Sequence, residues 1–412
     1  MTTMNQTWQT EYEHALVHTF ATPRELLVRG EGCYVYNDEG KRYLDAMAGI
    51  AVNALGHAHP ALVATASEHA ARLMHVSNFF ATRPQLDLAE AILRLSGVGE
   101  TGRVFFGNSG AEANEAAFKL ARLHGGVGRP RIIALENGFH GRTMGALALT
   151  GKPAMRVPFE PMPEGVEHIP ATIEAMERAL TGPDATQVAA LLVEPIQGES
   201  GVLPLPDGYL RRARELTAEA GALLIIDEIQ TGIGRTGYWF GFQHEGIIPD
   251  AFTLAKGLGG GIPIGALVTA GAASDLFQPG LHGTTFGGNP FATAMGCTVL
   301  NVIEEQDLVA AATERGAQLR RAIECQEISA ITGIRGRGLL LGVSLADPVA
   351  SDVVVAALDR GLILNAPNES TIRLAPPLVI GDEEMRLLAD LLGQAITAVY
   401  SQKNIVAPRA AG

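Results

Sequence analysis

Short apolar runs alternate with helix-patterned segments through the middle of the chain. Residues 103–106, 131–135, 188–193, 222–226, 251–255 and 264–270 are dominated by Val, Ile, Leu, Ala and Phe, whereas 111–123 and 209–220 repeat apolar positions at helical spacing. Runs this short suit buried strands, and strands interleaved with amphipathic helices predict an α/β domain built on a mostly parallel sheet. The two ends differ. Residues 34–36 and 41–45 flank Asn37-Asp38-Glu39-Gly40, a hairpin signal. Further on, 331–334, 338–343 and 371–374 read as strands among helices, an α+β pattern. The expected plan is a large α/β domain over residues 60–300 and a smaller α+β domain assembled from 1–59 and 301–412.

Composition narrows the function classes. With 412 residues, 47% of them hydrophobic and 18% charged, the chain has material for a large core and too many apolar positions for disorder. A net charge of −13 has the wrong sign for a nucleic-acid binder, which needs a basic footprint on phosphates. It leaves room for a local basic pocket and a small anionic ligand. No apolar stretch approaches the roughly 20 residues of a spanning helix. The first twenty residues carry Glu11 and Glu13 and no Lys or Arg, so no leader peptide is expected and the cytoplasm is the expected compartment. Cys33, Cys297 and Cys325 lie far apart with no CxxC spacing, which suits free thiols and neither a disulfide framework nor a zinc site. His57, His59, His75, His140 and His282 show no metal-ligand spacing, so no metal is expected; His140, beside Phe139, is placed near a pocket. Residues 405–412 read as a loose tail.

The chemically interesting polar residues sit at or just past the ends of apolar runs. Asn108 and Ser109 follow 103–106, Glu194 follows 188–193, Asp227 follows 222–226, and Lys256 follows 251–255. Ligands of open α/β sheets bind outside the carboxyl ends of the strands, so parallel neighbours would gather these side chains in one cleft. Gly107-Asn108-Ser109-Gly110-Ala111-Glu112 joins a strand to a helix whose N-terminus favours an anion. The same residues also make a capping box, Ser109 with Glu112. Asp227, after five apolar residues, needs a cation or donors; a salt bridge closing the strand is the plainer alternative. Lys256, between an apolar run and Gly257-Leu258-Gly259-Gly260-Gly261, would lose water and become a nucleophilic amine, or else bind phosphate as a point charge. Phe139-His140-Gly141-Arg142-Thr143 adds a ring face beside a guanidinium, and 282–290 forms a second hydroxyl- and glycine-rich loop. A phosphate cradle, a ring stacker, a buried carboxylate and a desolvated lysine together describe a site for pyridoxal 5'-phosphate (PLP).

At this point the chain resembles the class-III (ω) aminotransferases of fold type I. The resemblance rests on GIAVNALGHAHP (49–60), NSGAEANE (108–115), FHGRT (139–143), EPIQGESG (194–201), DEIQTGIGRTG (227–237), LAKGLGGG (254–261), HGTTFGGNP (282–290) and RLAPP (373–377). It implies that Lys256 links to the cofactor aldehyde and shuttles a proton, that Asp227 pairs with the pyridine nitrogen, that Gln230 bonds the ring hydroxyl and that Phe139 stacks on the ring. It implies phosphate binding by Ser109, Gly110 and Ala111, with Thr285 supplied by a second subunit of a homodimer. Arg142 and Thr284 would contact acetylornithine. Arg373 would hold the α-carboxylate of 2-oxoglutarate or glutamate, and Glu199 would cover Arg373 while the ω-amino substrate is bound. Glu194 is given a supporting role. Ala111 stands where relatives often carry Thr, and Thr284 where Ser is common, which leaves substrate preference open. The implied reaction moves the δ-amino group of N-acetylornithine to 2-oxoglutarate. Ornithine, succinylornithine, succinyl-diaminopimelate and 4-aminobutyrate are alternative amines, and a non-catalytic phosphate-binding module is the alternative class.

Overall fold

The structure, a computed structural model, describes residues 7–403; the tail at 405–412 and the first six residues lie outside the described residues. In chain order the strands are β1 (Leu27–Glu31), β2 (Tyr34–Asn37), β3 (Arg42–Asp45), β4 (Arg103–Gly107), β5 (Arg131–Leu135), β6 (Val166–Ile169) and β7 (Val188–Val193). They continue with β8 (Ile196–Gln197), β9 (Leu203–Pro204), β10 (Leu223–Asp227), β11 (Ala251–Leu254) and β12 (Gly265–Thr269). The last are β13 (Ile331–Arg337), β14 (Leu340–Leu345), β15 (Leu362–Ile363), β16 (Asn365–Asn368) and β17 (Thr371–Leu374).

Seven of these form the central sheet in the order β4-β12-β11-β10-β7-β5-β6. Strands β11, β10, β7, β5 and β6 pair in parallel, while β12 runs against both of its neighbours. The run at 264–270 thus departs from the parallel alternation expected of it. The cause is the length of its connection. Ala255 to Ile264 is too short for the dozen or more residues, usually including a helix, that a parallel crossover takes. Every residue of β7 and β10 is buried, because helices cover both faces of the sheet. The helix Gly110–Gly125 turns Ala113, Ala116, Ala117, Leu120 and Ala121 inward, and these small side chains let it lie close to the strands.

The chain ends build two further sheets. Strand β3 pairs in parallel with β15, Leu44 opposite Leu362, so the N-terminal hairpin shares a sheet with a segment from far along the chain. Strands β13-β14-β17-β16 form an antiparallel sheet in which Arg373 on β17 lies opposite Gly342. No helix among the described residues is long and apolar enough to cross a membrane.

Candidate active site

The carboxyl ends of the parallel strands open into one cavity of about 470 Å³. Asp227 closes β10, Lys256 follows β11, Asn108 and Ser109 follow β4, Glu194 follows β7, and the loop bearing Phe139 and His140 follows β5; all of them line it, with Gly110, Ala111, Arg142, Glu199 and Gln230. Arg373 stands behind Glu199.

Ser109 serves as a cap. Its Oγ accepts from Glu112 N at 3.2 Å, and Glu112 Oε2 accepts from Asn108 Nδ2 at 2.9 Å. Capping and anion binding are compatible here, because the first backbone N–H groups of the helix, at Gly110 and Ala111, stand at the cavity wall. Gly110 leaves room for Ile229: a Cβ there would fall 2.8 Å from Ile229 Cδ1, and that side chain would have to shift.

Asp227, 4% exposed, receives three donors. Its Oδ2 meets Asn114 Nδ2 at 2.8 Å and His140 Nδ1 at 2.7 Å, and its Oδ1 accepts from Ile229 N at 3.0 Å. Asn114 also donates to His140 O at 2.7 Å and accepts from Thr253 Oγ1 at 2.9 Å. Burial opposes a charge on His140, but the hydrogen bond and charge of Asp227, helped by Glu194, outweigh it and hold the imidazole pKa above its ordinary range. Burial pushes the Glu194 carboxyl up to about 7, against the pull of His140 and of the Phe139 N–H that it accepts at 3.0 Å.

Lys256 is enclosed at φ 42°, in no ion pair among the described residues. Loss of water lowers its pKa; Glu199, Asp227 and Glu194 oppose this only in part, and Arg373 adds to it. An amine in that condition is a nucleophile and a proton carrier.

Across the cavity Arg373, 2% exposed, donates through Nη1 to Glu199 Oε1 at 2.5 Å. The same group donates to Gln230 Oε1 at 3.2 Å, Gln230 Nε2 donates to Glu199 Oε1 at 3.3 Å, and Arg373 Nη2 donates to Asn365 Oδ1 at 2.7 Å. Burial raises the Glu199 pKa, but the charge and hydrogen bond of Arg373, with Lys256 and Gln230, together lower it more, so it lies below the ordinary carboxylate value. Gly198 permits this arrangement, since a Cβ there would sit 1.8 Å from Gln230 Oε1. The Arg142 guanidinium lies 5.6 Å from the centre of the Phe139 ring.

Two expected contributors are placed elsewhere within this chain. Thr284 and Thr285 line a neighbouring cavity with His75, Asn78 and His282; Thr284 touches the first cavity only through Asn108 Nδ2, at 3.4 Å. Other residues were not anticipated. Asn114 is an amide on a helix face otherwise given to small apolar residues, a signal visible in the chain. Val52 reaches the wall from a left-handed turn at residues 48–51, with φ of 48°, 63°, 67° and 60°, whose backbone Asp45 Oδ1 holds through Met47 N and Ala48 N. Three of those residues are not glycine, each at a cost of roughly 1–2 kcal/mol. Lys152, discussed below, gave no periodic or motif signal.

The chain belongs to the class-III aminotransferases: the match to that family spans residues 19–396. The acetylornithine aminotransferase of Corynebacterium efficiens is 50% identical over 400 residues, covering 96% of this chain and 97% of that protein. The N-acetylornithine aminotransferase of Stenotrophomonas maltophilia K279a superposes with a TM-score of 0.81 at 34% identity, over 95% of this chain and 99% of that one. The ornithine aminotransferase of Toxoplasma gondii, crystallized in the presence of oxidized glutathione, shows partial occupancy of PLP at its active site. It superposes with a TM-score of 0.90 at 32% identity, over 97% of this chain and 96% of that one.

Proposed function

We propose that the protein transfers the δ-amino group of N2-acetyl-L-ornithine to 2-oxoglutarate, giving N-acetyl-L-glutamate 5-semialdehyde and L-glutamate, with PLP as cofactor. The carrying observation is that a desolvated Lys256 shares one cavity with a firmly held Asp227 and with Glu199, the carboxylate that covers Arg373. The residues present fit PLP. The N-terminus of helix Gly110–Gly125 suits a phosphate, Phe139 offers a ring face, Asp227 offers a carboxylate to a ring nitrogen, and Lys256 offers an amine to an aldehyde.

When bound, PLP supplies the aldehyde that receives the amino group and a ring that takes up the electron pair left at the substrate carbon. The chain's residues do the rest. Asn114 and His140 fix the Asp227 carboxylate in place. Lys256 Nζ takes the proton from the substrate carbon and returns it to the cofactor side, a task its lowered pKa suits. Ser109, Gly110 and Ala111 would hold the phosphate, Phe139 would offer its face to the ring, and Gln230 would serve the ring hydroxyl. Arg142 would hold the acylated end of the amine, and Thr284, which lines the neighbouring cavity with Thr285, would reach it from a second subunit. Arg373 binds the dicarboxylate as a bidentate fork, and Glu199 masks it while the amine is present.

We also propose a homodimer in which Thr285 of one subunit completes the phosphate site of the other. Support comes from exposed Met74, Phe79, Phe80 and Phe286 around the loop that bears Thr284 and Thr285; Phe286 packs 5.1 Å from His75, and Asn78 Nδ2 donates to Gly287 O at 2.9 Å. Residues 1–59 and 301–412 make the smaller domain in this reading, and a reducing cytoplasm suits three free cysteines.

The test mixes the PLP-loaded protein, without keto acid, separately with N-acetylornithine, ornithine, succinylornithine and 4-aminobutyrate, and follows loss of the yellow absorbance. Fastest loss with N-acetylornithine is expected; faster loss with another amine reassigns the substrate. Lys256→Ala should lack both the covalent link to PLP and turnover, and turnover at the wild-type rate would end the proposal.

A further inference from the structure

Masking Arg373 in one half of the reaction and freeing it in the other requires Glu199 to have a second place to go. The turn that carries Glu199 cannot move as a body, because it is tied on both sides. Lys152 Nζ donates to Glu199 O at 2.6 Å, Ser200 Oγ to Asn137 O at 2.5 Å, and Gln197 Nε2 to Glu136 O at 2.8 Å. From the C-terminal sheet, Asn368 Nδ2 donates to Ser200 O at 3.1 Å and Arg335 Nε to Gly201 O at 2.8 Å. Asn137 and Gly151, the residue before Lys152, belong to one short ladder, with Asn137 N bonded to Gly151 O and Gly151 N to Gly138 O, each at 2.9 Å. Only the Glu199 side chain is free to turn, and it borders the open cavity. Even paired with Arg373 it is only 26% exposed, so an anion turned away from the arginine within this enclosed turn is costly unless another cation meets it.

Among the described residues, two lysines and one arginine stand near the site besides Arg373, and His140 is already held by Asp227. Lys256 is engaged in the chemistry. Arg142 lies over the Phe139 ring. Lys152 is half-buried, donates to a carbonyl, and forms no ion pair among the described residues. Burial draws its pKa below the ordinary lysine value, and the charge of Glu199 is the largest influence opposing that, ahead of Glu194; Arg373 and Arg142 act the other way. An ammonium within hydrogen-bond distance of a glutamate's own carbonyl lies within the sweep of that residue's carboxylate. We propose that Lys152 is the second station of Glu199: the carboxylate covers Arg373 while the amine is bound and turns to the Lys152 ammonium when a dicarboxylate takes the arginine. Lys152 is then a positioning residue that sets how readily one pocket changes substrate class. This inference rests on the exchange at Arg373 described under the proposed function.

Glutarate, a dicarboxylate with no keto group to react, separates the possibilities. Its dissociation constant is measured by calorimetry on the PLP-loaded wild type, Lys152→Met, Lys152→Arg, Glu199→Gln and the Lys152→Met/Glu199→Gln double variant. Losing a charge-assisted hydrogen bond in Lys152→Met should weaken glutarate about tenfold. Lys152→Arg should restore it, and in the Glu199→Gln background, which has no anion to relocate, Lys152→Met should change nothing. Equal weakening in both backgrounds would make Lys152 a clamp of the turn or a direct ligand, and overturns the proposal. Wild-type affinity in Lys152→Met overturns it as well, leaving the exchange at Arg373 standing. If wild type binds no glutarate, the dicarboxylate role of Arg373 fails and this inference falls with it.

Discussion

Two of the acidic side chains that line the cavity, Asp227 and Glu199, are held in opposite ways. Asp227 receives an amide, an imidazole and a backbone N–H, and Asn114 is itself fixed by Thr253. Glu199 receives one guanidinium and a long contact from Gln230 through a single oxygen, Oε1. A carboxylate held by buried donors on both oxygens is fixed in place, so its charge is a fixture of the site, with a lone pair of Oδ1 left for a ligand. A carboxylate held by one cation can be displaced by another carboxylate. The number of partners decides which acid is scenery and which is a moving part.

The largest expected effect breaks the fixed end. Asp227→Ala should lower turnover about a hundredfold to a thousandfold and destabilise the fold by roughly 3–5 kcal/mol, because His140 loses its buried partner. Single-turnover absorbance and denaturant unfolding measure the two. A loss no greater than that of Glu199→Ala would abolish the contrast. Glu199→Ala should act on selectivity: the amine half-reaction slows about tenfold, on the scale of one charge-assisted hydrogen bond, while 2-oxoglutarate reacts at least as fast as with wild type.

The moving end should also show itself in pH. The folded pKa of Glu199 lies below its ordinary 4.5, so the folded state binds this proton less tightly than the unfolded chain does. The stabilisation by its pair with Arg373 is therefore complete above that ordinary value and lost as pH falls through the folded one. The difference in melting temperature between wild type and Glu199→Gln should be constant near neutrality and shrink below pH 4.5; a difference that grows on acidification would contradict the pairing. The smallest effect tests the second tier of the fixed end: Thr253→Val should cost about 1 kcal/mol of stability with little change in rate, measured by thermal unfolding and steady-state turnover.

Much of this was legible in the chain because the central strands are buried on both faces and so appear as unbroken apolar runs. The polar residues that end those runs had to converge once the strands were parallel, which is why Asp227, Lys256 and Ser109 stood out. Strand β6 escaped notice because it is an edge strand, half-buried, with Glu167 and His168 breaking its apolar character. The direction of β12 depends on the length of a connection and leaves no mark in its own residues. Arg373 lies on a buried strand where composition gives no hint of a charge, and only the family resemblance singled it out. Lys152 sits between Gly151 and Pro153 in a loop, and its partner is a backbone carbonyl, an atom that every residue carries.

The parallel pairing of β3 with β15 has a consequence for how the molecule is made. Lys41, which leads into β3, donates through Nζ to the carbonyl of Asp359, 318 residues further along. During synthesis the first hairpin therefore emerges with one edge bare and stays so until most of the chain has followed. The entropy of closing so long a loop rises only with the logarithm of its length, so the delay matters more than the thermodynamic penalty. For that interval β3 presents unpaired N–H and C=O groups that any other extended segment could capture. This edge is where a nascent or partly unfolded chain is most open to pairing with the wrong strand, and chains shortened before residue 362 should aggregate through it.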